Sequence, residues 1–380
     1  MKVVMVDALV GNDYALCLCA ALRWAGVDVT LVVTEDRSEE LAIPIDFPLK
    51  KWLPSKDGMQ SKWLKAFKYI QYLLELLWYV FSNRVDVVHF QFFRLPRIES
   101  LFCVLLRLLN VNIAHTAHDV LPPEGRNIDL LFRYLVYHSS KVIYAHSVYI
   151  KNVIIEKFHI RSEKIIIVPH GNFNHYLFEN NISKENSRKC FGLGNTENVL
   201  LFFGVIREYK GLDLLLDAFE IISKDNKHLW LVIAGSPITL ELKKLYKKQI
   251  ETLSAKERVI YHAEFIPTKK VAEYFCACDI VILPYRNIYH SGILHLAYSF
   301  GKPVIATKVG DFPEVIEHGK GGYLLEKNEV QCLSRVIARA LAEPDTLLAM
   351  GRYARKLSEE QYSWNAIAKR MMHEYAVLAK

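Results

Sequence analysis

Nowhere in this chain is there a run of about twenty predominantly apolar residues, the length that a helix crossing a bilayer needs. The richest apolar stretch, residues 63–81, carries Lys65, Lys68, Gln71 and Glu75 inside it and therefore reads as a helix that does not span. No opening segment resembles a signal peptide, and the seven cysteines are an odd number lying mostly within apolar runs. Both features lead one to expect a reducing cytoplasm. Neither Cys17-x-Cys19 nor Cys276-x-Cys278 has companion Cys or His residues at zinc spacing, so no metal is expected. A full Gly-x-Gly-x-x-Gly fingerprint follows neither the first strand pattern nor the one near mid-chain, which counts against a nicotinamide enzyme. Solenoid repeats, low-complexity tracts and nucleic-acid-binding motifs are also missing.

What is present is globular. At 52% hydrophobic and 23% charged residues, a chain of 380 residues is longer than one core usually holds, so two domains are expected. The net charge of +7 favours an anionic partner, either a phosphate-bearing ligand or an acidic membrane surface. Short apolar runs alternate with helical patterns from the start: residues 2–7, a turn at Gly11 and Asn12, a helix through Leu16 and Leu22, then a second run at 27–34. Further strands are predicted at 85–90, 113–119, 142–147 and 165–172. In the second half they fall at 199–203, 229–234, 259–262, 280–283, 304–306 and 322–324. This alternation predicts an α/β chain of two doubly wound parallel sheets. The domains fall at 1–173 and 199–360, with a polar linker over 174–198 and a terminal helix over 361–380. Residues 63–84 combine lysines with tryptophans on a helical repeat, which suits either a core-packed helix or one lying on an anionic membrane face.

Two stretches carry candidate chemistry. The first, 198–219, is a strand, a glycine turn at Gly204, a loop with Arg207 and Lys210, and a helix. It puts two cations at the carboxyl end of a strand, where open α/β sheets bind ligands. The second, 284–306, offers Ser291 as an N-cap, with Gly292 allowing close approach to the free amides of Ile293 and Leu294. A helix start of this kind is a phosphate site, or else simply a buried connection between strands. In the first half, His118 and Asp119 stand where a strand opens into a loop ending in Pro122 and Pro123.

The segment Phe202-Phe-Gly-Val-Ile-Arg-Glu-Tyr-Lys-Gly-Leu-Asp213 resembles the phosphate-gripping loop of family 4 nucleotide-sugar glycosyltransferases, and Thr116-Ala-His-Asp119 and Gly310-Asp-Phe-Pro-Glu-Val315 match further motifs of that family. The resemblance implies the GT-B fold, two Rossmann-like domains facing a cleft, with the terminal helix crossing back to the first. It implies sugar transfer with retention, without a metal or other cofactor. The donor would be a UDP-, GDP- or other nucleotide sugar, and the acceptor a glycan or lipid-linked molecule in bacterial surface polysaccharide synthesis at the inner face of the membrane. By the same resemblance His118, Arg207 and Lys210 are catalytic, while Ser291, Gly292, Ile293 and Leu294 hold the diphosphate. The base lies near Phe265 and Ile266, with Gly11, Asn12, Asp119, Tyr289 and Glu314 lining the cleft. Two departures stand out. The positions matched to the family's paired glutamates carry Tyr289 and Ala297, and Arg207 stands two residues beyond its usual place after the turn glycine. The missing acids keep a second reading open, a catalytically silent nucleotide- or sugar-binding subunit.

Overall fold

The computed structural model describes residues 1–8, 13–34, 45–54, 62–121, 127–179 and 182–379. Gly11, Asn12, Pro122 and Pro123 lie outside the described residues. The chain divides into two compact units, one of residues 1–171 with 363–380, the other of 172–362.

The first unit runs β1 (Lys2–Asp7), α1 (Tyr14–Trp24), β2 (Asp28–Thr34), β3 (Leu49–Leu53), α2 (Lys62–Ser82), β4 (Val87–Phe92), α3 (Pro96–Leu108), β5 (Ile113–Ala117), α4 (Asn127–Ser139), β6 (Val142–Ala145), α5 (Val148–Phe158) and β7 (Ile165–Ile167). Its strands form one parallel sheet in the order β3-β2-β1-β4-β5-β6-β7. Val3, Met5 and Val29 pack with α1 in one core cluster, and Val4, Val6 and Val88 pack with α2 and α3 in another. That two-sided burial explains why the strands read as unbroken apolar runs. β3 was not predicted. Its sequence Leu-Lys-Lys-Trp-Leu is basic and only half-buried at the sheet edge, so neither alternation nor an apolar run marks it.

The second unit runs α6 (His175–Glu179), α7 (Lys184–Cys190), β8 (Asn198–Phe203), α8 (Leu212–Asp225), β9 (Leu229–Ala234), α9 (Leu240–Glu251), β10 (Val259–His262), α10 (Thr268–Ala277), β11 (Ile280–Leu283), α11 (Gly292–Ser299), β12 (Val304–Thr307), α12 (Phe312–Val315), β13 (Gly322–Leu325), α13 (Val330–Ala342) and α14 (Pro344–Glu360). Its parallel sheet has the order β10-β9-β8-β11-β12-β13. The last helix, α15 (Trp364–Leu378), returns to the first unit, where Ile367, Ala368, Met371 and Tyr375 join the α1 core.

The expected linker over 174–198 is corrected. Its described residues form α6 and α7 and belong to the second unit. Their polarity signals a satisfied network rather than a free connector. Arg188 of α7 is 1% exposed, yet it donates to the carbonyls of Ala277, Gly194 and Asn195 and to Asp279 Oδ2 at 2.8 Å. Every arm of the guanidinium has an acceptor, which is what makes burying it tolerable.

Helix α2 turns an unexpected side outward. Tyr69, Tyr72, Leu76 and Val80 are buried, whereas Trp63, Phe67, Ile70, Leu74, Trp78 and Phe81 are exposed, with Trp63 at 87%. Most of the apolar row that a core-packed reading would bury therefore faces away from the core.

Candidate functional site

In the second unit, the apolar strand β8 delivers the chain to Gly204, which adopts φ 99°. A Cβ at this position would lie 3.1 Å from Ile293 Cδ1 and 3.4 Å from Lys210 Nζ. Glycine thus lets three features converge: the turn, the Lys210 ammonium and the start of α11. Beyond the turn, Arg207 is extended and Glu208–Lys210 make a single 3-10 turn. Gly211 then enters the left-handed region at φ 68°, where a Cβ would come within 2.1 Å of the Pro284 carbonyl oxygen. Arg286, in the loop after β11, fixes this shape. It donates to both carboxylate oxygens of Asp213 at 2.9 and 2.5 Å and to the Glu208 carbonyl at 2.9 Å, and its own amide donates to the Tyr209 carbonyl at 2.7 Å.

Lys210 is 8% exposed, with Nζ 5.4 Å from the centroid of the Tyr285 ring. Among the described residues, neither its ammonium nor the half-buried Arg207 guanidinium has a hydrogen-bond or ion-pair partner. Burial, and after it the neighbouring Arg207 charge, push the Lys210 ammonium down to about 8. A buried cation left without an anion is costly in a folded protein, and an anionic ligand would relieve that cost.

Ser291 stands at the N-cap of α11 and is 6% exposed, but its side chain accepts no capping hydrogen bond. That corrects the expectation of a serine cap. The Leu294 amide is also not free, because it donates to the Ser291 carbonyl at 3.2 Å. Gly292 and Ile293, the first two residues of the helix, keep amides that no intrahelical carbonyl can reach. Tyr289 is half-buried and its carbonyl accepts from the Asp311 amide at 3.2 Å. Ala297 is fully buried in the core, so an acid at that position would have to be buried as well. Glu314 is exposed in α12, and Phe265 is 77% exposed beside the half-buried Ile266.

In the first unit, His118 lies just beyond β5 and is 4% exposed, stacked on Phe92 at 4.2 Å and met edge-on by Tyr14 at 4.6 Å. His118 Nδ1 is 3.0 Å from His146 Nε2, and His118 Nε2 is 2.9 Å from Gln91 Oε1. The far end of this row is fixed, since His146 Nδ1 donates to the Val168 carbonyl at 3.0 Å. Gln91 Oε1, like the Val168 carbonyl, can only accept, so His118 Nε2 donates to it, and the two rings face each other through His118 Nδ1 and His146 Nε2. Gln91 also reaches His89, whose Nε2 lies 2.8 Å from Thr116 Oγ1. Burial holds His89 neutral, pushing it down to about 3. Asp119, next to His118, is exposed.

The sequence reading named Lys210, Arg207, Ile293 and His118. It missed Gln91, His146, Arg286 and Asp311. A signal existed for Gln91, because His89-x-Gln91 places two polar side chains on one face of an interior strand. Asp311 gave none. It is 1% exposed, its Oδ1 has no partner among the described residues, and burial followed by the Glu314 charge pushes it up to about 8.

These two sheets are shared with known proteins. The sucrose-phosphate synthase of Thermosynechococcus elongatus superposes with a TM-score of 0.80 at 16% identity, covering 100% of this chain and 99% of that one. The fold is therefore GT-B. Residues 183–357 match the family described as glycosyl transferases group 1, and residues 12–171 match glycosyltransferase family 4. Between them these two matches run over most of the chain, so each unit is similar to a glycosyltransferase family. Among curated relatives, a D-inositol 3-phosphate glycosyltransferase of Corynebacterium urealyticum is 24% identical over 56% of this chain and 51% of its own length. A GDP-mannose:glycolipid 4-beta-D-mannosyltransferase of Xanthomonas campestris is 36% identical over 38% of this chain and 41% of its own. The chain thus spans about half the length of these curated relatives, or less.

Proposed function

We propose that the protein transfers a sugar from a nucleoside diphosphate donor to a glycan or lipid-linked acceptor, with retention at the anomeric carbon. The observation that carries this reading is the unpartnered, buried Lys210 ammonium beside Arg207 and the start of α11. Departure of a nucleoside diphosphate builds negative charge on phosphate oxygens. Cations and free amides already in place stabilise that charge without reorganising as it develops. In this reading Lys210 and Arg207 hold the diphosphate with the Gly292 and Ile293 amides, Phe265 and Ile266 border the base, and Tyr289 and Glu314 lie near the donor. No divalent metal is required, because the protein supplies the positive charge. The leaving phosphate takes the acceptor proton, so no protein nucleophile is needed for retention. His118 donates to or accepts from a hydroxyl of the donor sugar or acceptor. The base is that of a UDP-, GDP- or other nucleotide sugar. The name of the Xanthomonas relative favours a lipid-linked acceptor, as in bacterial surface polysaccharide synthesis.

The outward apolar row of α2 supports the companion proposal that the first unit rests on an anionic membrane face. The second reading, a silent binding subunit, is favoured by the non-acidic Tyr289 and Ala297. Incubation with radiolabelled UDP- and GDP-sugars separates the two. Transfer or slow donor hydrolysis that disappears in Lys210→Ala is the expected result, and donor binding without any turnover would establish the silent subunit instead.

A further inference from the structure

At the amino edge of the first sheet, where α3, α4 and α5 end and β5, β6 and β7 begin, the chain surrounds a cavity of about 670 Å³. Its charge is one-sided. Arg107, Lys141, Arg161 and Lys164 line it, with Glu163 the one carboxylate. Among the described residues none of these four cations has an ion pair with an acid.

Part of the cluster has an ordinary explanation. Arg107 Nη1 donates to the His138 carbonyl at 2.5 Å, and Lys164 Nζ to the carbonyls of Tyr137 and His138 at 2.8 and 3.1 Å, all at the end of α4. Cations do cap helix carboxyl ends, but one such end presents only about half a negative charge. Lys141 and Arg161 are exposed, and their side chains make no hydrogen bond among the described residues. The crowding has a cost that can be seen: burial, then the Arg107 and Arg161 charges, push Lys164 down to about 8. Two cations held in place by α4 and two more free to close over the opening make a receptor for a compact, multiply charged anion.

We propose that this cavity binds a phosphate dianion, either as free phosphate or as a phosphomonoester head group. It shares no residue with the nucleotide loop or the His118 row and does not depend on the function proposed above. The test is a melting-temperature titration of the full chain with inorganic phosphate against chloride at matched ionic strength, in a Lys210→Ala background so that phosphate at the nucleotide loop is not counted. Phosphate should raise the melting temperature where chloride does not. Lys141→Gln with Arg161→Gln, two exposed side chains that folding does not need, should weaken phosphate about tenfold or more, since each is a charge-assisted contact. Affinity should also fall above about pH 8, as Lys164 loses its proton. Vesicles of phosphatidylcholine with and without phosphatidic acid identify the source. Binding to the acidic vesicles that soluble phosphate competes more strongly than chloride at matched ionic strength, and that Lys141→Gln with Arg161→Gln weakens, identifies the head group, and a phosphate shift without such vesicle binding identifies the free ion. A phosphate effect no larger than that of chloride, or one that persists undiminished in the double variant, overturns the proposal.

Discussion

A carboxyl group with no room for its charge leaves a mark on the pH dependence of stability. Asp311 rises in the folded state from 3.8 to about 8. Its contribution to stability is therefore complete below about pH 4 and is lost as the pH rises towards 8, at up to about 1.4 kcal/mol per pH unit. Asp311→Asn should flatten that slope in urea titrations between pH 4 and 8, and an unchanged slope would show that the group titrates normally. Lys210 has the opposite sign, being lowered from 10.5 to about 8. Its contribution to stability is present above about pH 10.5 and is lost as the pH falls through 8. Nucleoside diphosphate binding needs the ammonium, so affinity should hold below pH 8 and decline by up to about tenfold per unit above it. A flat profile in calorimetric titrations from pH 7 to 9.5 would remove Lys210 from the phosphate site. His118 needs a gentler probe than alanine. It is packed between Phe92 and Tyr14, and truncation there would open a cavity costing about 2 kcal/mol or more. His118→Gln should keep a hydrogen bond to His146 and abolish most turnover, whereas near-normal turnover in that variant would confine the residue to structure.

At the level of elements, the loop between β8 and α8 is shaped from outside itself, by Arg286. Removing that partly exposed guanidinium should cost about 1 kcal/mol and let residues 208–210 move, so Arg286→Ala should weaken nucleotide binding although the residue itself is not placed at the phosphate. Protection of the Lys210 amide from hydrogen exchange reads the same event, and unchanged protection would rule out the clamp. The turn, the cations and the helix of this loop were all legible in the sequence, because local residue types set them. Arg286 was not, since its partners Glu208 and Asp213 lie more than seventy residues earlier in the chain. The same limit explains α7, where polar residues read as a linker until Arg188 is seen bonded to Asp279, ninety-one positions away. It explains Ser291 too. A serine before a helix looks like a cap in one dimension, but the side-chain torsion that decides is set by packing. For α2, helical spacing identified the helix but could not say which side faces the sheet. The exposed Trp63, Phe67, Trp78 and Phe81 should sustain binding to anionic vesicles at low salt, and the electrostatic part should weaken as salt rises. Absence of sedimentation with such vesicles at either salt concentration would reject the membrane face.

The whole molecule repeats one physical theme: parallel sheets buried on both faces, written as unbroken apolar runs, with the chemistry placed where those runs stop. That is why both sheets could be read from the sequence while the basic edge strand β3 could not. It is also why Lys210 and His118, in the segments that follow strand ends, were legible, whereas Asp311, defined by what surrounds it, was not; His146, directly after β6, stood at the same kind of place, and only its contact with His118 sets it apart. The central claim is that the second unit holds a nucleoside diphosphate with charge supplied by the protein. It is tested most directly by thermal shifts of the full chain with uridine, guanosine and adenosine diphosphates, without added metal, on the wild type and on Lys210→Ala. A ligand at about one hundred times its dissociation constant stabilises the native state by roughly 2.7 kcal/mol, and loss of one charge-assisted contact weakens binding about ten- to a hundredfold. The account predicts a clear shift with at least one of the three in the wild type, largely lost in Lys210→Ala; no shift with any of them, or an equal shift in the variant, would contradict it.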